Sequence, residues 1–319
     1  MPDSSKVLVV GSGGMACEYL KVLKSLKKSV IVVGRGNKNI EHLKNIFPEY
    51  DYFSGGLNNY LNNNKDIPEF AINTVNIEYL GDTTIRLLES GLKFLLIEKP
   101  GDLTKKGLHN ISKLAAQKKA TVCVAYNRRF YESVIEVINQ SKKDGGIKSL
   151  NFEFTEWSHT FGPETHSILA LNSWVLSNSS HVIDTVFYLI GEPEKLSSEV
   201  LGRGEIDWHP SGSIFVGSGV SKLGIPFSYH SNWKGPGRWA IEIITDKRRF
   251  YLKPMEKLFE QELGSISLNE AVINDNLDKE FKPGLFLQTK AFLNLEIENM
   301  QKIDDQYKAM AHYQKIGGF

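Results

Sequence analysis

Val9-Val10-Gly11-Ser12-Gly13-Gly14-Met15-Ala16 is the stretch on which the fold turns. A β-branched run passes into Gly-x-Gly-x-x-Ala and then into residues with helical apolar spacing. The first glycine permits a tight turn after a strand, the second lets backbone N–H groups approach a pyrophosphate, and small Ala16 lets the helix pack close on the strand. The helix N-terminus then faces the anion. Gly11, Ser12, Gly13, Gly14 and Met15 are therefore the expected dinucleotide contacts.

Outward from this turn, residues 1–126 repeat one pattern: a short apolar run, a turn, then a helical stretch. Strands are expected at Lys6–Val10, Ser29–Val33, Phe70–Thr74, Phe94–Ile97 and Thr121–Ala125, and helices at Met15–Leu26, Thr83–Ser90 and Leu108–Lys118. Runs that are apolar throughout belong to strands covered on both faces, so the first domain is read as a doubly wound parallel sheet of the Rossmann type. Asn58–Asn64 reads as a loop.

After residue 126 the strands alternate in polarity, which marks a sheet with one covered face. Ser149–Thr155, Ser213–Ser218, Pro226–Trp233 and Trp239–Thr245 are the candidates, preceded by a helix at Phe130–Asn139. A second helix runs from about Ser180 to Ile190 and stops at Gly191-Glu192-Pro193, where glycine takes a left-handed cap and proline cannot continue. A last helix, Leu285–Asn299, leads to a polar tail. The fold class is thus α/β, with a Rossmann domain over 1–126 and an α+β domain over 127–319 carrying a large open, mainly antiparallel sheet.

The chain has 319 residues, about two domains' worth, with 38 basic and 37 acidic side chains and a formal charge of +1. That balance gives no bias toward nucleic acid or an anionic membrane. No apolar run approaches the roughly 18 residues of a membrane span, and Met1–Lys6 has no signal-peptide character, so a cytoplasmic location is expected. Cys17 and Cys123 form no Cys-x-x-Cys site and read as buried, inert thiols.

Strand two ends in Val33-Gly34-Arg35-Gly36, where selectivity for NAD usually places a carboxylate against the ribose 2′-hydroxyl. Arg35 instead suits a 2′-phosphate and the adenine face. Gly34 and Arg35 are accordingly read as contacts of NADP, with NAD as the other possibility. Strand Phe94–Ile97 runs into Glu98-Lys99-Pro100, which brings Lys99 out at the carboxyl edge of the sheet, where ligands of such folds sit. Pro100 fixes the chain there, and a cis bond is expected.

These residues resemble the Gfo/Idh/MocA oxidoreductases, a family that includes glucose–fructose oxidoreductase and inositol dehydrogenase. The resemblance spans essentially the whole chain. It rests on the glycine turn, on Thr74-Val75-Asn76 where the family has Thr-Pro-Asn beside the nicotinamide ribose, on Glu98-Lys99-Pro100, on Ala125-Tyr126-Asn127-Arg128-Arg129-Phe130, and on Ser180-His181-Val182-Ile183-Asp184 followed by Leu189-Ile190-Gly191.

The resemblance implies cofactor contacts from Thr74, Val75, Asn76, Glu98 and Lys99, and it implies that Lys99 and His181 act on the substrate. Oxidising an alcohol requires loss of the hydroxyl proton while hydride leaves carbon. Histidine, with an ordinary pKa of about 6.5, suits the proton transfer, and an ammonium at Lys99 suits the developing alkoxide. The family implies a sugar, cyclitol or nucleotide-sugar substrate, with Arg129, Trp174, Asn178 and Asp184 joining Lys99 as its contacts, and a homodimer or homotetramer.

Two positions depart from the family: Ser177 stands where many relatives have Asp, and Ser179 where they have Gly. Asp184 shares the helix face of His181 and either orients the imidazole, touches sugar hydroxyls or is exposed. Arg128 and Arg129 either contact substrate or pin the domain junction. His159, His166 and the tryptophans of 156–174 read as a substrate-covering loop in preference to a metal site; no metal is expected. Lys247-Arg248-Arg249 reads as a solvated turn. Two other functions remain open: a non-catalytic NAD(P)-sensing regulator on the same fold, and an enzyme like the biliverdin reductases.

Overall fold

The computed structural model describes residues 6–319; the expectation for Met1–Ser5 lies outside the described residues. In the first part of the chain, β1 (Val7–Val10), α1 (Gly14–Ser25), β2 (Val30–Val33), α2 (Asn37–Ile46), β3 (Asp51–Phe53), α3 (Gly56–Asn63), β4 (Phe70–Asn73), α4 (Leu80–Glu89), β5 (Phe94–Ile97), α5 (Lys105–Lys118) and β6 (Thr121–Val124) alternate strand and helix. In the second part follow α6 (Glu132–Lys143), β7 (Ser149–Glu153), α7 (Ile168–Asn172), α8 (Ser180–Ile190), β8 (Pro193–Leu201), β9 (Ile214–Ser221), β10 (Pro226–Asn232), β11 (Ala240–Ile244), β12 (Arg248–Leu252), β13 (Phe259–Glu262) and β14 (Asn269–Glu270). The chain closes with α9 (Asn276–Glu280), α10 (Leu285–Leu293), β15 (Gln301–Lys302) and α11 (Ile303–Gly317).

Two compact units result. The first comprises residues up to Tyr126 together with Leu285–Lys308; the second comprises Asn127–Gly284 and Ala309–Phe319. Residues 285–308 therefore do not belong with the second domain, where the sequence reading put them. Their apolar side chains explain the return: α10 packs on α1, Phe292 meets Phe70 edge-on at 5.7 Å, and Gln301 and Lys302 pair antiparallel with β6.

In the first unit the strand order is β15-β6-β5-β4-β1-β2-β3, parallel except for β15. All four residues of β1, β2 and β4 are buried, as covering helices on both faces require. α5 starts because the Thr104 hydroxyl accepts from the Gly107 N–H at 2.9 Å, satisfying one orphan donor of the first turn. Its buried face is Leu108, Ile111 and Ala115.

The Asn-rich stretch is helix α3, not a loop. Gly55 and Gly56, at φ 90° and 83°, make the entering turn. Asparagine amides then satisfy backbone acceptors from within: Asn63 donates to the Asn59 carbonyl and Asn64 to the Tyr60 carbonyl, both at 2.8 Å. The tail is also helical. In α11 the buried Met310, Tyr313 and Ile316 follow helical spacing, and Asp304 and Asp305 in the first turn with Lys315 in the last complement the dipole.

The second unit is built on an eight-stranded sheet, β14-β13-β12-β11-β7-β10-β9-β8. It is antiparallel save for the pairing of β10 with β7. One face carries the core, with Phe152, Phe154, Phe215, Tyr229, Ile241, Ile243 and Phe250 all buried.

Arg248 is not part of a solvated turn. It lies in β12, donates to Asp144 through Nε (2.8 Å) and Nη2 (2.9 Å) and to Glu260 through Nη1 (2.9 Å). The hydrogen bonds and charge of Arg248 hold the Asp144 carboxyl below its ordinary value against a partial burial. α8 stops at Gly191 as expected, but with φ 82° and ψ 163°, an extended positive-φ conformation open essentially to glycine alone and not a left-handed helical cap. Cys123 is buried, whereas Cys17 is only half-buried.

Candidate active site

The turn after β1 has the geometry a dinucleotide needs. Gly11 sits at φ 117°, and a Cβ there would run into the Thr74 hydroxyl and carbonyl. Both features restrict the position to glycine. The Thr74 N–H and hydroxyl reach the Val10 carbonyl at 2.8 and 3.1 Å, which clamps the end of β4 to the end of β1. α1 has no side-chain N-cap, so its first N–H groups remain available to an anion. A Cβ on Gly13 or Gly14 would meet nothing within 4 Å, so open space adjoins the backbone where a pyrophosphate would approach.

A cleft of about 660 Å³ opens beside this turn, and its walls include Gly11, Ser12, Gly13, Gly34, Arg35, Thr74, Val75 and Asn76. Gly14, Met15, Glu98 and Lys99 are not among its walls. Residues missed in the sequence complete it: Lys38, Gly55, Gly56, Asn58, Tyr79 and Arg86. The Arg35 guanidinium lies over the Tyr79 ring, 4.6 Å from its centroid, and Arg86 donates to Asn58 at 2.9 Å. The Gly55 and Gly56 N–H groups bond the Arg35 and Gly34 carbonyls at 3.2 and 2.9 Å. The adjacent glycines were the available signal for that second rim. Three cationic side chains, Arg35, Lys38 and Arg86, against the single carboxylate of Asp82 give the outer cleft an excess of positive charge.

Glu98-Lys99-Pro100 leaves the carboxyl end of β5. The Glu98 N–H bonds the Asn73 carbonyl at 2.9 Å, and the Glu98 carboxylate accepts from Tyr19 at 3.1 Å. Burial, then the neighbouring Glu98 charge, pushes the Tyr19 phenol well above its ordinary value, so the hydroxyl stays a donor. The Lys99-Pro100 bond is cis. Gln306, buried in α11, donates to the Pro100 carbonyl and to the Tyr126 hydroxyl, both at 3.0 Å. Lys99 therefore rises from a segment braced on two sides.

In the second unit His181 occupies the first turn of α8 and is nearly enclosed. A π-turn, Val175–Ser179, leads into the helix. The His181 ring lies 6.0 Å from that of Trp239. Bonded to Trp239 and to the residues just before α8 is Glu156, fully buried, which no sequence pattern singled out. It accepts from Ser179 Oγ (2.7 Å), Asn178 Nδ2 (3.1 Å), Arg238 Nη1 (3.1 Å) and Trp239 Nε1 (3.2 Å). Burial raises the Glu156 carboxyl above its ordinary value, while those four donors pull it down. The Ser179 that departs from the family pattern is thus a donor to a carboxylate supplied by another element, and Asn178 has its amide engaged there too.

Arg129 and Asp184 form a bidentate pair, Nε to Oδ2 at 2.8 Å and Nη2 to Oδ1 at 2.7 Å, and only 1% of the Asp184 side chain is exposed. The guanidinium bonds both carboxylate oxygens, so Asp184 is not an exposed acid. Arg129 and Asp184, both expected as substrate contacts, are thus paired with each other inside the second unit. Trp174 is also packed away, its ring 4.5 Å from Phe161, 4.9 Å from His166 and 5.5 Å from Trp208. His209 nearby is a core histidine, lowered to about 4 by burial. Part of the expected loop over 156–172 is ordered as a short turn, Ser158–Thr160, and α7. Among the described residues no group of three or more His, Cys, Asp or Glu could hold a metal ion, and no helix is long and apolar enough to cross a membrane.

No known family description matches the chain, and no curated protein matches it. Solved structures do. A dehydrogenase (MviM) from Clostridium difficile is 17% identical with a TM-score of 0.76, over 98% of both chains. UDP-N-acetylglucosamine 3-dehydrogenase from Acidithiobacillus ferrooxidans is 12% identical with a TM-score of 0.74, over 99% of this chain and 97% of that one. An oxidoreductase from Agrobacterium radiobacter, in complex with NAD+, L-tartaric acid and magnesium, is 10% identical with a TM-score of 0.78, over 98% and 94%. The chain has the α/β fold of these dehydrogenases along essentially its whole length.

Proposed function

We propose that the chain is an NADP(H)-dependent oxidoreductase that moves hydride to or from a ring carbon of a sugar, cyclitol or nucleotide-activated sugar. The observation that carries this reading is the cleft at Gly11–Gly13, open at the backbone where a pyrophosphate fits and cationic where strand two would meet the adenosine ribose. Similar structures in complex with NAD+ and L-tartaric acid, or with NADH and UDP-GlcNAcA, support a dinucleotide oxidoreductase without choosing NADP over NAD. So does the retention of both Lys99 and His181, which a sensor without catalysis has no need to keep.

When bound, the nicotinamide accepts or gives the hydride. The residues of the chain do the rest. Backbone N–H groups of Ser12, Gly13 and Gly14, with Met15 at the same helix start, would hold the pyrophosphate, and Thr74, Val75 and Asn76 would hold the nicotinamide ribose. Lys99, held by the braced segment after Glu98, stabilises negative charge on the reacting oxygen. His181 takes the hydroxyl proton in oxidation and returns it in reduction, so that carbonyl and alcohol interconvert with one proton and one hydride accounted for.

Arg35 decides the cofactor. Charge-assisted contacts to a phosphate contribute about 1.5–3 kcal/mol, so Arg35→Ala is expected to weaken NADPH roughly 10- to 150-fold and to leave NADH within about threefold. Calorimetric titration of both cofactors reads this directly, and equal loss for the two would remove the assignment. We further propose a homodimer or homotetramer through the open face of the second sheet; a stable monomer by light scattering at micromolar concentration would contradict it.

A further inference from the structure

Arg128 is a half-buried cation that makes no hydrogen bond to the protein. Its Nε is shut off from solvent and hydrogen-bonds to nothing, and no other part of its guanidinium donates a bond. The group lies over aromatic rings, 4.3 Å from the centroid of Trp239 and 5.6 Å from that of Tyr131. Its neighbour Arg129 spends its own fork on Asp184, so the two consecutive arginines have different tasks.

A second guanidinium shares the indole. Arg238 lies 4.7 Å from the centroid of Trp239 and 4.7 Å from that of Trp157, and its Nη1 is bonded to Glu156. Glu156 therefore offsets Arg238 and is itself saturated by Ser179, Asn178 and Trp239. Glu256 and Glu156 favour the Arg128 charge without accepting a bond from it, so its fork stays unfilled on the same ring that faces His181. Glu256, which accepts weakly from Tyr131 at 3.5 Å, makes no hydrogen bond to it. The one enclosed donor, Nε, is costly to leave unfilled, while the rest of the fork stays accessible to a ligand. A planar fork pinned on aromatic faces is preorganised for a carboxylate, which accepts two parallel N–H bonds.

We propose that Arg128, backed by Trp239 and Arg238, is a carboxylate-binding position, and that the substrate is an acidic sugar, a uronic or aldonic acid or its nucleotide-linked form. The inference rests on the oxidoreductase reading above and narrows it. The carboxylate docks at Arg128, and the neighbouring carbinol carbon is thereby presented to His181.

Matched pairs differing only in the acid group test it: D-glucuronate against D-glucose, and UDP-glucuronate against UDP-glucose. Each is titrated calorimetrically into the full chain saturated with NADPH. At least one acid is expected to bind tenfold or more tighter than its neutral partner, a preference falling to about twofold or less in Arg128→Met and partly kept in Arg128→Lys. Methionine retains the apolar stem, and unchanged NADPH affinity marks an intact first unit. The wild-type comparison stands even if the variant fails to fold. Equal binding of acid and neutral members, no binding of any of the four, or an acid preference that survives Arg128→Met would overturn the proposal. The oxidoreductase reading is scored separately: NADPH binding and turnover without acid preference leave it intact, whereas acid preference without any turnover defeats it and keeps the subsite.

Discussion

Replacing His181 with Asn, a side chain of similar size that cannot shuttle protons, is expected to lower kcat by about 10²- to 10⁴-fold, the usual contribution of a positioned acid–base group. Cofactor affinity should stay within about twofold, because the dinucleotide cleft is built wholly from residues of the first unit, which the substitution leaves unchanged. Lys99→Ala is expected to cost roughly 10²- to 10³-fold, as loss of one donor to a developing oxyanion does. If the two side chains serve one oxygen, their effects do not add. The double variant should then be little slower than His181→Asn alone, as for residues that act as a unit. Steady-state kinetics of the two single variants and the double variant check this. Near-normal turnover in both single variants would dismiss the assignment, and fully additive losses would separate the two roles.

Arg129→Met is expected to destabilise the chain by about 3–5 kcal/mol, because it strands a buried carboxylate. Asp184 has 1% exposure and accepts from no residue but Arg129 among its described partners. Thermal midpoint should fall by roughly 6–20 °C at about 2–4 °C per kcal/mol. Arg129 lies in the short turn Asn127–Phe130 and Asp184 in α8, one turn beyond His181, so the pair fixes the rotation of the helix that presents the imidazole. Activity should therefore decline together with stability. The joint replacement Arg129→Met with Asp184→Leu should be milder than Arg129→Met alone, since no charge is then left unpaired. Chemical denaturation measures the three variants; a loss below about 1 kcal/mol for Arg129→Met would mean that water reaches the carboxylate.

The parallel sheet was legible because its strands are short, wholly apolar runs and its first turn carries glycines where only glycine fits, as at Gly11. Other elements were not, β3, α3 and α11 among them. β3 has only three residues, and neither Asp51 nor Phe53 is buried, so it has no apolar run to read. α3 looked like a loop because asparagine usually competes with the helix backbone, yet here Asn63 and Asn64 use that capacity to finish the helix. α11 looked like a polar tail because its buried side chains, Gln306 among them, are interspersed with acids and lysines. The return of residues 285–308 to the first unit depends on tertiary contacts such as Phe292 with Phe70, which no local pattern records. Of the residues expected from sequence, Gly11, Ser12 and Gly13 of the glycine turn line the cleft, whereas Glu98 and Lys99 do not. Glu156 was not expected, because a glutamate ending a strand looks exposed until Ser179, Asn178, Arg238 and Trp239 are folded around it.

The central claim is that this chain transfers hydride to and from an alcohol carbon. Its most direct measurement is the absorbance of reduced nicotinamide while the wild-type chain is incubated with NADP+ and a panel of sugars, sugar acids, inositols and nucleotide sugars. The account predicts accumulation of NADPH with at least one member, lost on His181→Asn. A chain that binds NADP+ and reduces it with none of them, or a His181→Asn variant that reduces it at the wild-type rate, would contradict the account.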